Sequence, residues 1–209
     1  MPAPGDWAAI ARASDPDEIR EQILTGYKAG KPFTPYEATI LLPQPLGRVL
    51  DFGCGLGRNF PYLSRIAARV EGFDLPPMIE QCRRLPIDPA IALHDDWQSV
   101  RSGRYDLIFA SLVLQHIDPA VSRSAIEDFA RMAPHVYVLT RAGSDFGPNV
   151  LASIDDLGIF EVEACVEVDH DPATHQLRVL GRPSPEQVRT LEDGGHFEVL
   201  LMSRVFRRN

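Results

Sequence analysis

Residues Arg48 to Arg58, RVLDFGCGLGR, decide the fold. Val49, Leu50 and Phe52 are strand formers in a short run, which reads as a buried β-strand with Asp51 near its carboxyl end. Gly53, Gly55 and Gly57 then alternate. A glycine-rich turn after a strand lets backbone N–H groups approach a ligand and lets a helix start against it. The dinucleotide fingerprint is G-x-G-x-x-G. Its third glycine position is Arg58 here, and the third glycine comes one residue early, giving D-x-G-x-G-x-G.

Downstream, strand, turn and helix repeat. Arg58–Ala68 reads as a helix with Phe60, Leu63, Ile66 and Ala67 on one face. Val70–Phe73 reads as a strand closed by Asp74, and Pro77–Arg84 as a short helix. Ile91–Leu93 is a third strand, followed by Asp95, Asp96 and Trp97. Tyr105–Leu112 is near-continuously apolar, as a strand covered on both faces must be. Asp118-Pro119 starts a helix that turns Val121, Ala125, Phe129 and Met132 inward, and His135–Thr140 is a fifth strand. This alternation predicts an α/β fold with a doubly wound, mostly parallel sheet, whose ligands bind outside the carboxyl ends of the strands. The last third changes rhythm: Ile159–Val168, Gln176–Leu180 and Phe197–Phe206 look extended, with a helix over about 185–191. Strands without long crossovers imply antiparallel pairing.

Upstream, residues 1–13 are rich in Ala and Pro, with Trp7 the one large anchor. Asp15, Pro16 and Glu18 form a helix start with a capping box, and Ile19, Ile23, Leu24 and Tyr27 follow at helical spacing. Four prolines then mark a connector over 31–47. The expected division is a helical cap over 1–45 and a core over 46–209, with a strand–helix insertion around 169–192.

Composition narrows the function. The chain has 209 residues, 44% hydrophobic and 24% charged, which fits one globular domain with a small cap. Cys54, Cys82 and Cys165 show no metal-ligand spacing, which suits a reducing cytoplasm. No signal peptide is read, and the longest apolar run, Leu107 to Leu114, is too short to span a bilayer. A formal net charge of −8 without a basic run disfavours nucleic acid as substrate.

D-x-G-x-G-x-G resembles motif I of the class I (Rossmann-like) S-adenosylmethionine (SAM) dependent methyltransferases, and the resemblance covers roughly 47–140. It implies a seven-stranded sheet ending in an antiparallel strand. It also implies that Asp51, Gly53, Cys54, Gly55, Gly57 and Asn59 hold the methionine end of SAM. Asp74, closing VEGFDL, would accept from both ribose hydroxyls, with Leu75 and Met78 as apolar neighbours of adenine; a helix N-cap is its other reading. In LHDDW, Asp95 or Asp96 would take the adenine amino group with Trp97 beside the ring; the alternative is a solvated loop with Trp97 in the core. In YDLIFASLVLQHI, Ala110 and Ser111 would line the methionine, and Gln115 and His116 would sit near the methyl group. His116 is a candidate general base, or a structural histidine in a turn. Tyr27, Lys31, Thr34 and Tyr36 of the cap are candidate substrate contacts.

Two features point elsewhere and are set aside. Asp74-Leu75-Pro76-Pro77 looks like the (Asp/Asn)-Pro-Pro-Tyr signature of amino-methyltransferases, but that signature belongs after the fourth strand, where this chain has ASLV. Asp169, His170, Asp171 and His175 resemble a metal cluster but read as a solvated hairpin loop, and no metal is expected. The expected activity is methyl transfer from SAM to an O or N nucleophile of a small molecule, by a cytoplasmic monomer or homodimer. The competing readings are a non-catalytic SAM-binding scaffold and a nicotinamide-dependent oxidoreductase.

Overall fold

The computed structural model describes residues 6–19, 44–141, 156–168, 177–180 and 197–204. Eight strands form one sheet. The parallel part comprises β1 (Leu46–Phe52), β2 (Ala67–Phe73), β3 (Ala92–His94), β4 (Leu107–Ser111) and β5 (His135–Arg141). β6 (Phe160–Val168), β7 (Leu177–Leu180) and β8 (Phe197–Arg204) pair antiparallel, in the order β3-β2-β1-β4-β5-β8-β6-β7. Among the described residues β7, within the expected Gln176–Leu180 insertion strand, adds an edge strand on β6.

The helices are α1 (Asp6–Ala13), α2 (Phe60–Ile66), α3 (Pro76–Arg83), α4 (Trp97–Arg101) and α5 (Pro119–Met132), with a 3-10 turn at Leu114–His116. Alternate residues of the strands face two apolar clusters. Val49, Leu107, Phe109 and Tyr137 join Leu63 and Ile66 of α2 on one face. Leu50, Phe52, Ile108 and Val136 join Ile126 and Phe129 of α5 on the other. Both faces are covered, so β4 has no polar side to show.

Several boundaries moved. α1 lies within the expected cap, its apolar stripe at Trp7, Ile10 and Ala11 set among alanines. α2 is shorter than Arg58–Ala68, because the chain turns extended at Ala67 to begin β2. α4, of five residues, was not expected. The start at Asp15 forms as read: Oδ1 of Asp15 accepts from the Glu18 N–H at 2.9 Å, and the Asp15 N–H donates to Glu18 at 3.0 Å. Asp118 caps α5, accepting from the N–H groups of Ala120 and Val121. The helix near 185–191 and the 169–175 cluster lie outside the described residues.

The first two strands are also held by a buried charge that the sequence did not advertise. Glu71 on β2 is fully buried and accepts from Arg48 Nε and Nη2, each at 2.8 Å. Arg69 lies 2.7 Å away, the Tyr105 hydroxyl donates at 3.1 Å, and His94 Nε2 is 3.1 Å distant. Burial alone would raise this carboxyl, but the cations and the hydroxyl outweigh it and hold it below the usual range.

Candidate active site

β1 and β4 are neighbours although β2 and β3 intervene in sequence, so the connections diverge to opposite sides and leave a crevice at their carboxyl ends. The glycine turn forms its floor. The N–H groups of Gly53 and Cys54 both donate to the Phe73 carbonyl, at 2.8 and 3.0 Å, tying the turn to the end of β2. Gly53 has φ +72, and a Cβ there would stand 2.3 Å from Cγ2 of Val113. Gly55 has φ +57 and nothing within 4 Å of its missing Cβ. The turn is closed against the protein at Gly53 and open at Gly55.

Asp74 faces this opening. Its Oδ2 accepts from the Gly55 N–H at 2.7 Å and its Oδ1 from the Leu75 N–H at 2.7 Å. Burial raises its pKa to about 6 against the lowering effect of both N–H groups. Asp51 is fully buried, 3.3–3.4 Å from Asn59 Nδ2. Burial lifts its pKa to about 7, with the Asn59 bond and the Arg58 charge lowering it and Asp74 raising it. Arg58, which sequence reasoning passed over, reaches across the crevice to place Nη2 3.4 Å from Ser111 Oγ. The signal for it was the cation directly after Gly57. Ala110 is fully buried.

The adenine-side residues divide. Leu75 is 43% exposed and free to meet a ring, whereas Met78 is buried under α1 with Ala11 and Ile19. Asp95 pairs with Arg83 at 3.1 Å, and Asp96 caps α4 through the Gln98 N–H at 3.0 Å. Trp97 is half-buried and packs against the core: its ring lies 5.3 Å from Phe52 and 5.1 Å from Phe73, and its Nε1 donates to Asp128 at 3.0 Å. Cys54 is buried, its thiol raised well above its ordinary range by a bond with Cys82 and by burial; it is inert filler in the turn.

After β4 the chain reverses at Leu112, whose φ of +57 is strained for a leucine. That reversal packs Val113 on Gly53 and leads into the 3-10 turn that carries Gln115 and His116. Gln115 Nε2 lies 3.3 Å from His116 Nε2. Burial lowers the pKa of His116, which favours the neutral ring. Trp7 of α1 completes this wall, its ring centroid 5.7 Å from that of His116 at 75°. Tyr27, Lys31, Thr34 and Tyr36 lie outside the described residues.

The site fits the amino-acid and ribose ends of SAM: open space beside Gly55, a carboxylate at Asp74, and the Arg58 cation whose charge acts on the Asp51 carboxyl. Sheet order, glycine turn and the acid closing β2 together define a class I SAM-dependent methyltransferase. The chain belongs to the methyltransferase domain family, whose model matches residues 20–175. Solved structures agree on the fold. A TehB-like SAM-dependent methyltransferase from Corynebacterium glutamicum is 19% identical, with a TM-score of 0.63 over 94% of this chain and 99% of that one. The N-methyltransferase NodS from Bradyrhizobium japonicum, in complex with S-adenosylhomocysteine (SAH), is 14% identical with a TM-score of 0.55, over 92% and 90%. A chain from the complex of the Haloferax volcanii Trm112 methyltransferase activator is 13% identical with a TM-score of 0.66, over 95% and 97%. No curated protein matches the sequence. No helix among the described residues is long and apolar enough to cross a membrane.

Proposed function

We propose that this chain transfers the methyl group of SAM to an oxygen or nitrogen nucleophile of a small molecule, by in-line displacement. Gly55 carries the reading: its N–H is committed to Asp74, its φ is +57, and open space lies where a side chain would be. Bound there, SAM supplies a methyl group already activated on a sulfonium, so the protein's share is alignment and exclusion of water. In this reading Asp74 accepts from the ribose hydroxyls through its remaining lone pairs. Arg58 holds the methionine carboxylate, Asp51 and Asn59 balance the ammonium, and Asp95 or Asp96 takes the adenine amino group. Leu75 covers the ring, while Trp97 supports the floor from the core.

His116 orients the acceptor. Its ring lies beside the Gln115 amide, Nε2 to Nε2 3.3 Å, and a ring nitrogen meets the acceptor's polar atom. Residues 1–45 form a cap on the 46–209 core, supported by the contact of α1 with α3 and with His116. The layout is a seven-stranded family sheet with an antiparallel last strand, to which β7 is added. Net charge −8 favours a small acceptor over nucleic acid, and the cysteines suit a cytoplasmic monomer or homodimer.

Titration calorimetry tests the reading. SAM and SAH should bind and NAD(P) should not. Asp74→Asn should weaken SAH by about tenfold or more, the value of a hydrogen bond to a charged group. Unchanged affinity in that variant refutes the assignment. Turnover in a screen of metabolite hydroxyls and amines separates an enzyme from a scaffold.

A further inference from the structure

The helix before the family core reaches the methyl-transfer end of the crevice. α1 rests on α3 through Ile10, Ala11 and Met78, and on the glycine turn through Leu56. The buried Gln81 of α3 fixes it there, its Nε2 donating to the carbonyls of Ala11 at 2.8 Å and Ser14 at 3.1 Å. The far end of α1 carries Trp7 against His116. α3 follows β2 and the His116 turn follows β4, so α1 spans the crevice from its cofactor side to the side where β4 ends. Trp7 and His116 are each only half-buried.

We propose that Trp7 is a specificity-determining residue of the acceptor pocket, and that it forms with His116 an aromatic corner selecting a flat ring bearing the nucleophile. The inference rests on the methyltransferase reading above and names its substrate class. Two rings at 75° with centroids 5.7 Å apart offer a third ring one partner to stack on and one to meet edge-on. Leu56, in the same apolar cluster as Trp7, adds apolar surface, and a ring nitrogen of His116 supplies one polar handle for a ring hydroxyl. A saturated ring or an alkylammonium ion of the same size would lose the stacking or leave that handle unused.

The test uses the full chain saturated with SAH and 7-hydroxycoumarin as the probe, a flat hydroxylated ring that absorbs tryptophan emission. Calorimetry of SAH alone comes first; if SAH does not bind, the cofactor reading fails before the acceptor is tested. With SAH bound, the probe should quench tryptophan emission saturably. Trp7→Leu should weaken the probe about tenfold, and Trp7→Phe should recover most of that loss. SAH affinity in both variants should stay within about threefold of native, because α1 is fixed by Gln81 and Ile10. Cyclohexanol and choline should displace the probe at least about tenfold less well than phenol. The proposal is overturned if the probe does not bind the SAH-loaded protein or binds Trp7→Leu as tightly as native. It is equally overturned if cyclohexanol or choline competes as well as phenol, or if SAH affinity falls in step with probe affinity, which would make Trp7 merely structural.

Discussion

Gly53→Ala and Gly55→Ala should fail in different ways, although the two glycines are two residues apart in one turn. Both have positive φ, +72 and +57, so an alanine at either costs roughly 1–2 kcal/mol of backbone strain. At Gly53 the new methyl would also stand 2.3 Å from Val113 Cγ2 and 2.6 Å from its Cβ. Val113 sits on the strained reversal at Leu112 and must be displaced, an overpacking cost of about 1–3 kcal/mol. The total, about 2–5 kcal/mol, corresponds to a melting temperature lower by roughly 4–20 °C in a chain of this size. At Gly55 nothing lies within 4 Å, so the loss should stay near the strain alone, roughly 2–8 °C. Its methyl would instead enter the cofactor's space beside Asp74, and SAH affinity should fall by about tenfold to a hundredfold. Scanning calorimetry and SAH titration of both variants check this. A Gly53→Ala protein melting within about 2 °C of native, or a Gly55→Ala protein binding SAH as native does, refutes the division of the turn into a closed and an open side.

The buried carboxyls make a pH prediction. Asp51 and Asp74 have pKa values raised to about 7 and about 6, so the folded chain binds protons more tightly than the unfolded one, and their contribution to stability is lost as pH rises from about 4 to about 7. Melting temperature against pH should slope downward there, and less steeply in Asp51→Asn; an unchanged slope removes the assignment. Arg58→Ala should weaken SAH by about tenfold or more and leave methylthioadenosine, which lacks the amino-acid end, unchanged; equal losses for both would mean that Arg58 only shapes the turn. Glu71→Gln leaves Arg48 and Arg69 without their buried anion and should cost about 3 kcal/mol, a melting temperature lower by roughly 6–12 °C. SAH affinity measured below the transition should not change, since Glu71 lies along β2 away from the glycine turn; a loss comparable to that of Asp74→Asn would place it in the site.

What the sequence settled about this protein is local in the chain. The glycine turn, the acid closing β2, the capping box at Asp15 and Glu18 and the Asp118 cap each need their residues within a few positions, because each meets a requirement of the backbone. Alternation of strand and helix fixed the parallel sheet for the same reason. Tertiary structure alone decided which side chains share a space. It packed Trp97 against the core with Phe52 and Asp128, put Met78 under α1, and spent the Asp96 carboxylate on a helix no pattern announced. It also brought Arg58 to Ser111, gathered four partners around Glu71, and set Trp7 on His116 from the other half of the chain. Such contacts carry no spacing in sequence. They arise from how the helices pack once the sheet has formed, and they place the acceptor pocket where a segment before the core meets a turn after β4.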